Sequence, residues 1–131
     1  MKRLILLLVL TASGCGGGSA PLVGDEQARQ AVETCLNAWK AGKPPGPVTT
    51  EPIAIEAIDS QWSAKRELAD YTLGPAESGV GNYTFPVKLT LRNPPESLDT
   101  RYVVIGVGPI FVYRDEDYQR MTNMENGPST P

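Results

Sequence analysis

The order of the patterns along the chain restricts the fold most: one amphipathic helix comes first, and only strand patterns follow it. Asp25 is predicted as the N-cap of this helix, Gly42 offers a C-cap, and Pro44-Pro45 prevents the helix from continuing. Because no later helix is available for crossover connections, a parallel α/β sheet is excluded. The apolar residues between positions 25 and 42 recur at the spacing of one helical face; they are Ala28, Ala31, Val32, Cys35, Leu36 and Trp39.

Strand patterns begin after a loop that is predicted at residues 43–52. Pro86 lies inside the clearest pattern and has no N–H to donate, which predicts either a sheet edge or a bulge there. The break from Gly106 to Pro109 is compatible with a hairpin or with a bend. The predicted strands are 53–62, 66–73, 82–93 and 100–115, and the third has apolar residues at alternate positions, namely Tyr83, Phe85, Val87, Leu89 and Leu91.

These patterns predict an α+β domain over residues 25–117, in which the helix packs across one face of a curved antiparallel sheet of four or five strands. The chain of 131 residues has room for one such domain, and its 13 glycines and 12 prolines argue against a helical bundle. Cys35 on the apolar stripe is predicted to be a buried core cysteine rather than a reactive thiol. Residues 118–131 are polar and are predicted to form a disordered tail.

The first 15 residues have the order of a secretory signal peptide. The basic start Met1-Lys2-Arg3 precedes an unbroken apolar run over residues 4–10, and Ala12-Ser13-Gly14 then leads to Cys15. This apolar run of seven residues is far below the roughly 20 that a membrane-spanning helix needs. Residues 1–14 are therefore predicted to be a signal peptide and not a permanent transmembrane anchor.

The sequence Ala12-Ser13-Gly14-Cys15 resembles the lipobox of bacterial lipoproteins. The resemblance implies cleavage before Cys15, a diacylglyceryl thioether on its sulfur, and an acyl chain such as palmitate on the new amino terminus. Stable anchoring needs two or more chains, because burying each CH₂ contributes only about 0.8 kcal/mol. The alternative is an ordinary secretory cleavage site with an incidental cysteine.

Residues 15–24 are predicted to hold the domain near the membrane on a flexible tether, because Gly16-Gly17-Gly18-Ser19 has almost no surface that could pack. The lipobox resemblance also bears on location. In that family a residue other than aspartate after the modified cysteine, here Gly16, implies export to the outer membrane. The expected location is the cell envelope, with the lipid anchor in the outer rather than the inner membrane.

The body of the chain resembles a group of small lipoproteins of planctomycete bacteria over residues 30–115. The segments LNAWKAGKPP, IDSQW, LADYTL and FPVKLTL carry the resemblance, together with RYVVIG and PIFVYRD. The order of one helix and then a curved sheet is also similar to the cystatin-like and NTF2-like superfamilies. Because that architecture serves enzymes, binding proteins and inert scaffolds, the resemblance implies a fold and not an activity.

Composition excludes several function classes. The chain has no histidine, which excludes Ser-His-Asp catalysis and any metal site that needs histidine. Acidic residues outnumber basic ones by 15 to 12 and no basic block occurs, so no nucleic-acid partner is expected. Asp115-Glu116-Asp117 lacks the spacing of a calcium loop and is interpreted as a solvated acidic strand end. We predict no cofactor, no metal and no catalytic residue, and the chain is not expected to be an enzyme.

Four residues are candidates for a ligand site: Asp59, Trp62, Tyr71 and Tyr102. A carboxylate beside aromatic rings can hold a polar ligand or transfer protons, whereas the structural interpretation is that Trp62 closes the core and Asp59 makes a turn hydrogen bond. The leading hypothesis is a non-enzymatic envelope lipoprotein that binds another protein or a small ligand. The alternatives are an NTF2-like small-molecule-binding protein or enzyme, using Asp59 with Tyr71 or Tyr102, and a passive spacer.

Overall fold

The computed structural model describes residues 24–125 and has the α+β architecture that the sequence predicts. The predicted signal peptide, Cys15 and residues 126–131 lie outside the described residues, as does the predicted tether up to residue 23. The helices within the described range are α1 (Asp25–Lys40), α2 (Ser60–Ser63) and α3 (Asp115–Glu125). The strands in the same range are β1 (Gly46–Thr49), β2 (Ile55–Ile58), β3 (Glu67–Leu73), β4 (Glu77–Ser78), β5 (Tyr83–Arg92), β6 (Glu96–Ile105) and β7 (Ile110–Arg114).

Helix α1 carries the predicted apolar stripe, and all of the stripe is buried in the core. Its N-cap is Gly24, whose carbonyl accepts a hydrogen bond from Ala28 N at 2.9 Å. The prediction of Asp25 as N-cap is therefore wrong by one position, and Asp25 instead places its charge in the first turn, where the helix dipole favours it. At the other end Ala41 is the C-cap, and Gly42 follows with a φ of +85°, which glycine adopts without strain.

The strands form one curled, mostly antiparallel sheet in the order β1-β2-β7-β6-β5-β3, with β4 also paired to β5. The pairing of β2 with β7 is parallel, and its register runs from Ile55 opposite Ile110 to Ile58 opposite Tyr113. The prediction of a purely antiparallel sheet is wrong at this point. The predicted count of four or five strands is also wrong, because the short strands β1 and β4 bring the number within residues 24–125 to seven. The chain leaves β2 through α2, builds the remaining strands as an antiparallel series, and returns beside β2 in the same direction.

Strand β5 confirms the predicted alternation from Phe85 to Leu91, where the apolar residues are buried and the residues between them are not. The carbonyl of Pro86 accepts a hydrogen bond from Gly74 N at 2.8 Å. The N and O of one strand residue point to the same neighbouring strand. The side of Pro86 that lacks an N–H therefore points away from β6 and towards the gap between β3 and β4. The predicted edge is thus a short gap in the pairing on one side of β5.

Three connections settle or correct the sequence-based predictions. The break from Gly106 to Pro109 is a hairpin, since β6 and β7 pair antiparallel on either side of it. The segment 43–52, predicted as a loop, contains strand β1, which pairs with β2. The segment 53–62, predicted as one strand, is a strand only in β2 and then turns into α2.

Helix α3 corrects two further predictions at the end of the domain. Residues 115–117 form its first turn instead of a strand end, and Asp117 is 7% exposed rather than solvated. Residues 118–125, predicted to be disordered, continue the same helix. An α-helix exposes four unpaired N–H groups at its start, and the three acidic residues of this first turn lie where those groups favour negative charge.

Cys35 is 2% exposed, in agreement with its prediction as a core residue. Burial, with a smaller contribution from the Asp59 carboxylate, raises the pKa of its thiol from 9.0 to about 12. The folded state therefore holds this proton more tightly than the unfolded chain, and this contribution to stability is lost as the pH rises from about 9 towards 12.

We expect the free energy of unfolding in urea to fall by roughly 2–3 kcal/mol between pH 8 and pH 11 through Cys35 alone, because each pKa unit corresponds to about 1.4 kcal/mol. A Cys35→Ala variant lacks this thiol and should lose clearly less stability over the same pH interval. Equal losses in the two proteins would contradict the assigned cause.

Candidate functional site

The two tryptophans of the chain, Trp39 and Trp62, stack with their ring centroids 5.6 Å apart and an interplanar angle of 13°. Trp39 Nε1 donates a hydrogen bond to the carbonyl of Arg66 at 2.8 Å. Trp62 Nε1 donates to the carbonyl of Lys43, also at 2.8 Å. The Trp39 indole therefore binds the α2–β3 loop, and the Trp62 indole binds the α1–β1 loop. The stacked pair thus fixes the two loops together.

The ends of α1 and α2 are built alike from a short repeat in the sequence. Residues 39–43 (WKAGK) and 62–66 (WSAKR) share a tryptophan, an alanine two positions later and a cation four positions later. Gly42 N donates to the Trp39 carbonyl and Lys65 N to the Trp62 carbonyl, both at 2.9 Å. The next residue in each repeat donates to the carbonyl of the residue before the tryptophan, at 2.9 Å and 3.2 Å, which completes a Schellman motif.

A groove of about 490 Å³ opens over these two helix ends. Its lining comes from residues 39, 40 and 42–45, from residues 62, 63 and 65–68, and from Arg92, and we call it the cationic groove. A volume of this size falls within the range of small-ligand sites. Trp39 and Trp62 are 3% and 5% exposed, so they form part of a packed, apolar floor beneath polar walls.

Charge is distributed unevenly between this groove and the rest of the domain. All but Lys2 and Arg3 of the chain's 12 basic residues, and all 15 of its acidic residues, lie within 24–125. Five of these basic residues line the groove, namely Lys40, Lys43, Lys65, Arg66 and Arg92, whereas Glu67 is the one acidic residue in the lining. A cleft lined mainly by one sign of charge above an apolar floor focuses the field of its charges, so the groove is a positive region on an otherwise acidic body.

The cations of the groove differ in how they are paired. Lys40, Arg66 and Arg92 each have a carboxylate oxygen within 3.5 Å. Lys43 and Lys65 are exposed, and neither has an ion-pair partner within residues 24–125. Both lysines line the groove, Lys43 from the α1–β1 loop and Lys65 from the α2–β3 loop.

Lys65 has a φ of +69° and occupies the place in its Schellman motif that Gly42 takes in the first repeat. A side chain in this left-handed region costs roughly 1–2 kcal/mol. We expect Lys65→Gly to raise the free energy of unfolding by about 1 kcal/mol, because it removes the strain. Lys65→Ala removes the same charge but keeps the strained Cβ, and urea unfolding should show no gain for it. Equal stability of the two variants would contradict the assignment of strain.

Asp59 fixes α2 beneath the groove from the centre of a buried network. As the N-cap of α2, its Oδ1 accepts hydrogen bonds from Gln61 N at 2.9 Å and from Trp62 N at 3.2 Å. The same oxygen accepts from Arg114 Nε at 2.9 Å, and Oδ2 accepts from the Tyr102 hydroxyl. Asp59 is 3% exposed, so both of its oxygens are used within the protein.

The charges of this network stabilise one another in a buried setting. Burial alone would lower the pKa of the Arg114 guanidinium, but the Asp59 carboxylate beside it raises that pKa above its ordinary value. Burial, and next the Asp59 charge, raise the pKa of the Tyr102 hydroxyl well above its ordinary value. Arg114 also donates to Glu116 at 3.0 Å. The network therefore ties α2 to β6, β7 and the start of α3.

The structure brings together some of the predicted site residues and separates others. Asp59 and Tyr102 are in direct contact, and Trp62 is joined to them through the α2 cap. Tyr71 donates instead to Asn37 of α1 at 3.0 Å, so of the two tyrosines proposed beside Asp59 it is Tyr102 that bonds to it. Of the four candidates only Trp62 lines the cationic groove. The turn hydrogen bond predicted for Asp59 is present as its capping bonds.

Sequence reasoning missed the cations of the groove and the part that Trp39 plays in it, because Trp39 was assigned only to the core stripe of the helix. The repeat shared by residues 39–43 and 62–66 is the sequence signal that could have revealed them. It places the same residue types at the same distance beyond two helix ends. It does not by itself show that those ends meet, since that contact depends on the Trp39–Trp62 stack.

A second, more open depression of about 510 Å³ lies between β7 and α3, and its lining is mainly apolar, with Tyr113, Met121 and Met124. Within residues 24–125, no group of three His, Cys, Asp or Glu side chains is placed to hold a metal ion. Across the same residues, no helix combines the length and apolar character needed to cross a membrane. Comparisons of the chain with protein-family models, curated proteins and solved structures find no match.

Proposed function

We propose that this protein is a non-enzymatic, lipid-anchored protein of the cell envelope that binds an anionic ligand in the cationic groove. The observation that carries the binding function is the concentration of cations in one concave surface, five basic residues against one acidic residue. The lipobox resemblance at Cys15 supports the anchor and favours the outer membrane. The leading hypothesis from the sequence proposes a ligand or protein partner without naming a binding surface, and the cationic groove is that surface in this proposal.

Binding is favoured over catalysis because of where the titratable groups lie. Asp59 and Tyr102, the residues of the enzymatic alternative, use their polar atoms on each other and on Arg114. The groove itself is lined by lysines and arginines, and its one carboxylate, Glu67, lies 3.3 Å from Arg92. A general acid or base needs a group that is free to exchange a proton with a substrate. The lysines and arginines of the groove are better suited to holding charge than to moving protons.

Intrinsic fluorescence can test anion binding directly, because both tryptophans of the chain belong to the groove. The full chain, expressed with its leader and purified in detergent, would be titrated with polyglutamate and with tripolyphosphate. We expect a saturable change that weakens as salt is added, since exposed charge pairs are screened. Lys43→Gln/Lys65→Gln should reduce it, whereas Lys88→Gln, an exposed lysine outside the groove, should not. The absence of any saturable change with either anion would contradict the proposed binding function.

The anchor requires its own experiment. Mass spectrometry of the protein from its native membrane should find an acylated Cys15 at the amino terminus, and a Cys15→Ala variant should not be retained by the membrane. Unmodified chains that begin at another residue would refute the proposed anchor and leave the groove unaffected.

A further inference from the structure

The cationic groove offers hydrogen-bond acceptors as well as positive charge. Both α1 and α2 end at it, and their Schellman motifs occupy the carbonyls of Ala38, Trp39, Gln61 and Trp62. The carbonyls of Lys40 and Ser63, two residues of the groove lining, accept no hydrogen bond within residues 24–125. Pro44 and Pro45 follow α1 and have no N–H with which to satisfy the Lys40 carbonyl. Trp39 Nε1 and Trp62 Nε1 occupy the Arg66 and Lys43 carbonyls that lie farther along each loop. The rim of the groove therefore favours a ligand that brings N–H donors together with negative charge.

The combination of positive charge and hydrogen-bond acceptors distinguishes acidic peptides from phosphates as ligands. Phosphate groups are bound well at helix N-termini and by clusters of backbone N–H groups, because the phosphate brings acceptor oxygens only. Here both neighbouring helix ends are C-termini, which present carbonyl groups instead of N–H groups and so offer a phosphate oxygen no hydrogen bond. An acidic peptide carries carboxylates for Lys43 and Lys65 and backbone N–H groups for the carbonyls. The groove is chemically complementary to the peptide.

The position of the groove along α1 bears on the source of the ligand. The predicted tether joins α1 at Asp25, and the groove lies at the other end of this 16-residue helix. At 1.5 Å per residue the two ends are about 24 Å apart. Headgroups of the anchoring bilayer could reach the groove only if the domain turned over on its tether. A ligand on the side away from that bilayer meets the groove directly.

We infer that the cationic groove binds a short acidic segment of a partner protein, with its carboxylates between Lys43 and Lys65 and its backbone N–H groups on the carbonyls of Lys40 and Ser63. This inference rests on the proposed anion-binding function and names the class of its ligand. The two lysines supply charge to the groove from two different loops. The stacked tryptophans keep the walls at a fixed separation, because each indole is bonded to the opposite loop.

The test compares a fluorescein-labelled peptide with four aspartates among six residues, the same peptide with asparagines, and tripolyphosphate as an unlabelled competitor. Using the full chain in detergent, fluorescence anisotropy should show that the aspartate peptide binds at least about tenfold more tightly than the other two. Lys43→Gln and Lys65→Gln should each weaken binding of the aspartate peptide about fivefold, and the double variant about 20-fold. Lys88→Gln should change it by less than about twofold.

Three results would overturn the inference in different ways. Tighter binding of tripolyphosphate than of the aspartate peptide would refute the peptide and leave anion binding intact. Lysine-dependent binding of phosphatidylglycerol vesicles without peptide binding would assign the groove to a lipid surface. The absence of binding to every anion would refute the proposed function together with the inference.

Discussion

Replacing Asp59 with alanine is expected to lower the free energy of unfolding by about 3–5 kcal/mol. The substitution leaves the Arg114 guanidinium, whose side chain is 3% exposed, without its buried carboxylate, and breaking one half of a buried ion pair has a cost of about this size. It also removes the N-cap of α2, which contributes about 1 kcal/mol. Since domains of this size are stable by only about 5–15 kcal/mol, urea unfolding monitored by circular dichroism should show a large shift of the midpoint.

Two further variants make this expectation specific to the buried pair. Asp99→Ala removes a carboxylate that is 84% exposed and lies 4.0 Å from Lys88, and it should change stability by less than about 0.5 kcal/mol. The double variant Asp59→Ala/Arg114→Met should be more stable than Asp59→Ala alone, because no buried charge is left uncompensated. A double variant that is less stable than the single one would show that the loss comes from some other contact of Asp59.

Replacing Trp62 with alanine is expected to lower the free energy of unfolding by about 3–5 kcal/mol, as for other large aromatic residues in a core. Trp62 is 5% exposed, stacks on Trp39 and holds the Lys43 carbonyl, so a cavity and an unpaired acceptor are created together. Ligand affinity should also fall, because the loop that carries Lys43 is released from the opposite wall.

Trp62→Phe separates the stack from the hydrogen bond. The phenyl ring can keep a stacked contact with Trp39 but cannot donate to the Lys43 carbonyl, and we expect a loss of only about 1 kcal/mol. Affinity for the aspartate peptide should fall with it. Tyr71→Phe removes the hydroxyl that donates to Asn37, outside the groove, and should leave affinity unchanged. Full affinity in Trp62→Phe would contradict the role of the indole bonds in fixing the walls.

The parts of the fold that the sequence predicts correctly are those set by local periodicity. The stripe of α1 and the alternation of β5 each identify a buried face within one element. The parallel pairing of β2 with β7 joins residues that are 55 positions apart, from Ile55 to Ile110, and no local pattern contains that contact. Helix α3 was missed because it is mostly polar. Its position depends on distant groups such as Ser60, whose N–H donates to Asp117 at 2.8 Å.

The candidate site was predictable only in part, for a similar reason. Asp59, Tyr102 and Trp62 were selected as a carboxylate beside aromatic rings, and they do meet, but Asp59 and Tyr102 do so as structural support beneath the groove. The cations that define the groove lie on separate segments of the sequence. Lys43 and Arg92 line the same groove only because the folded chain brings their segments together. Net charge hides this feature, because the chain as a whole has a formal charge of −3.

The most direct test of the account is a titration of the isotope-labelled full chain with the aspartate peptide, followed by NMR. The chain has two tryptophans, so two indole N–H signals report on the groove from its floor. We predict that both indole signals shift saturably, together with the amides of Gly42, Lys43 and Lys65. Shifts confined to the depression between β7 and α3, or no shift at saturating peptide, would contradict the claim that the cationic groove is the binding site.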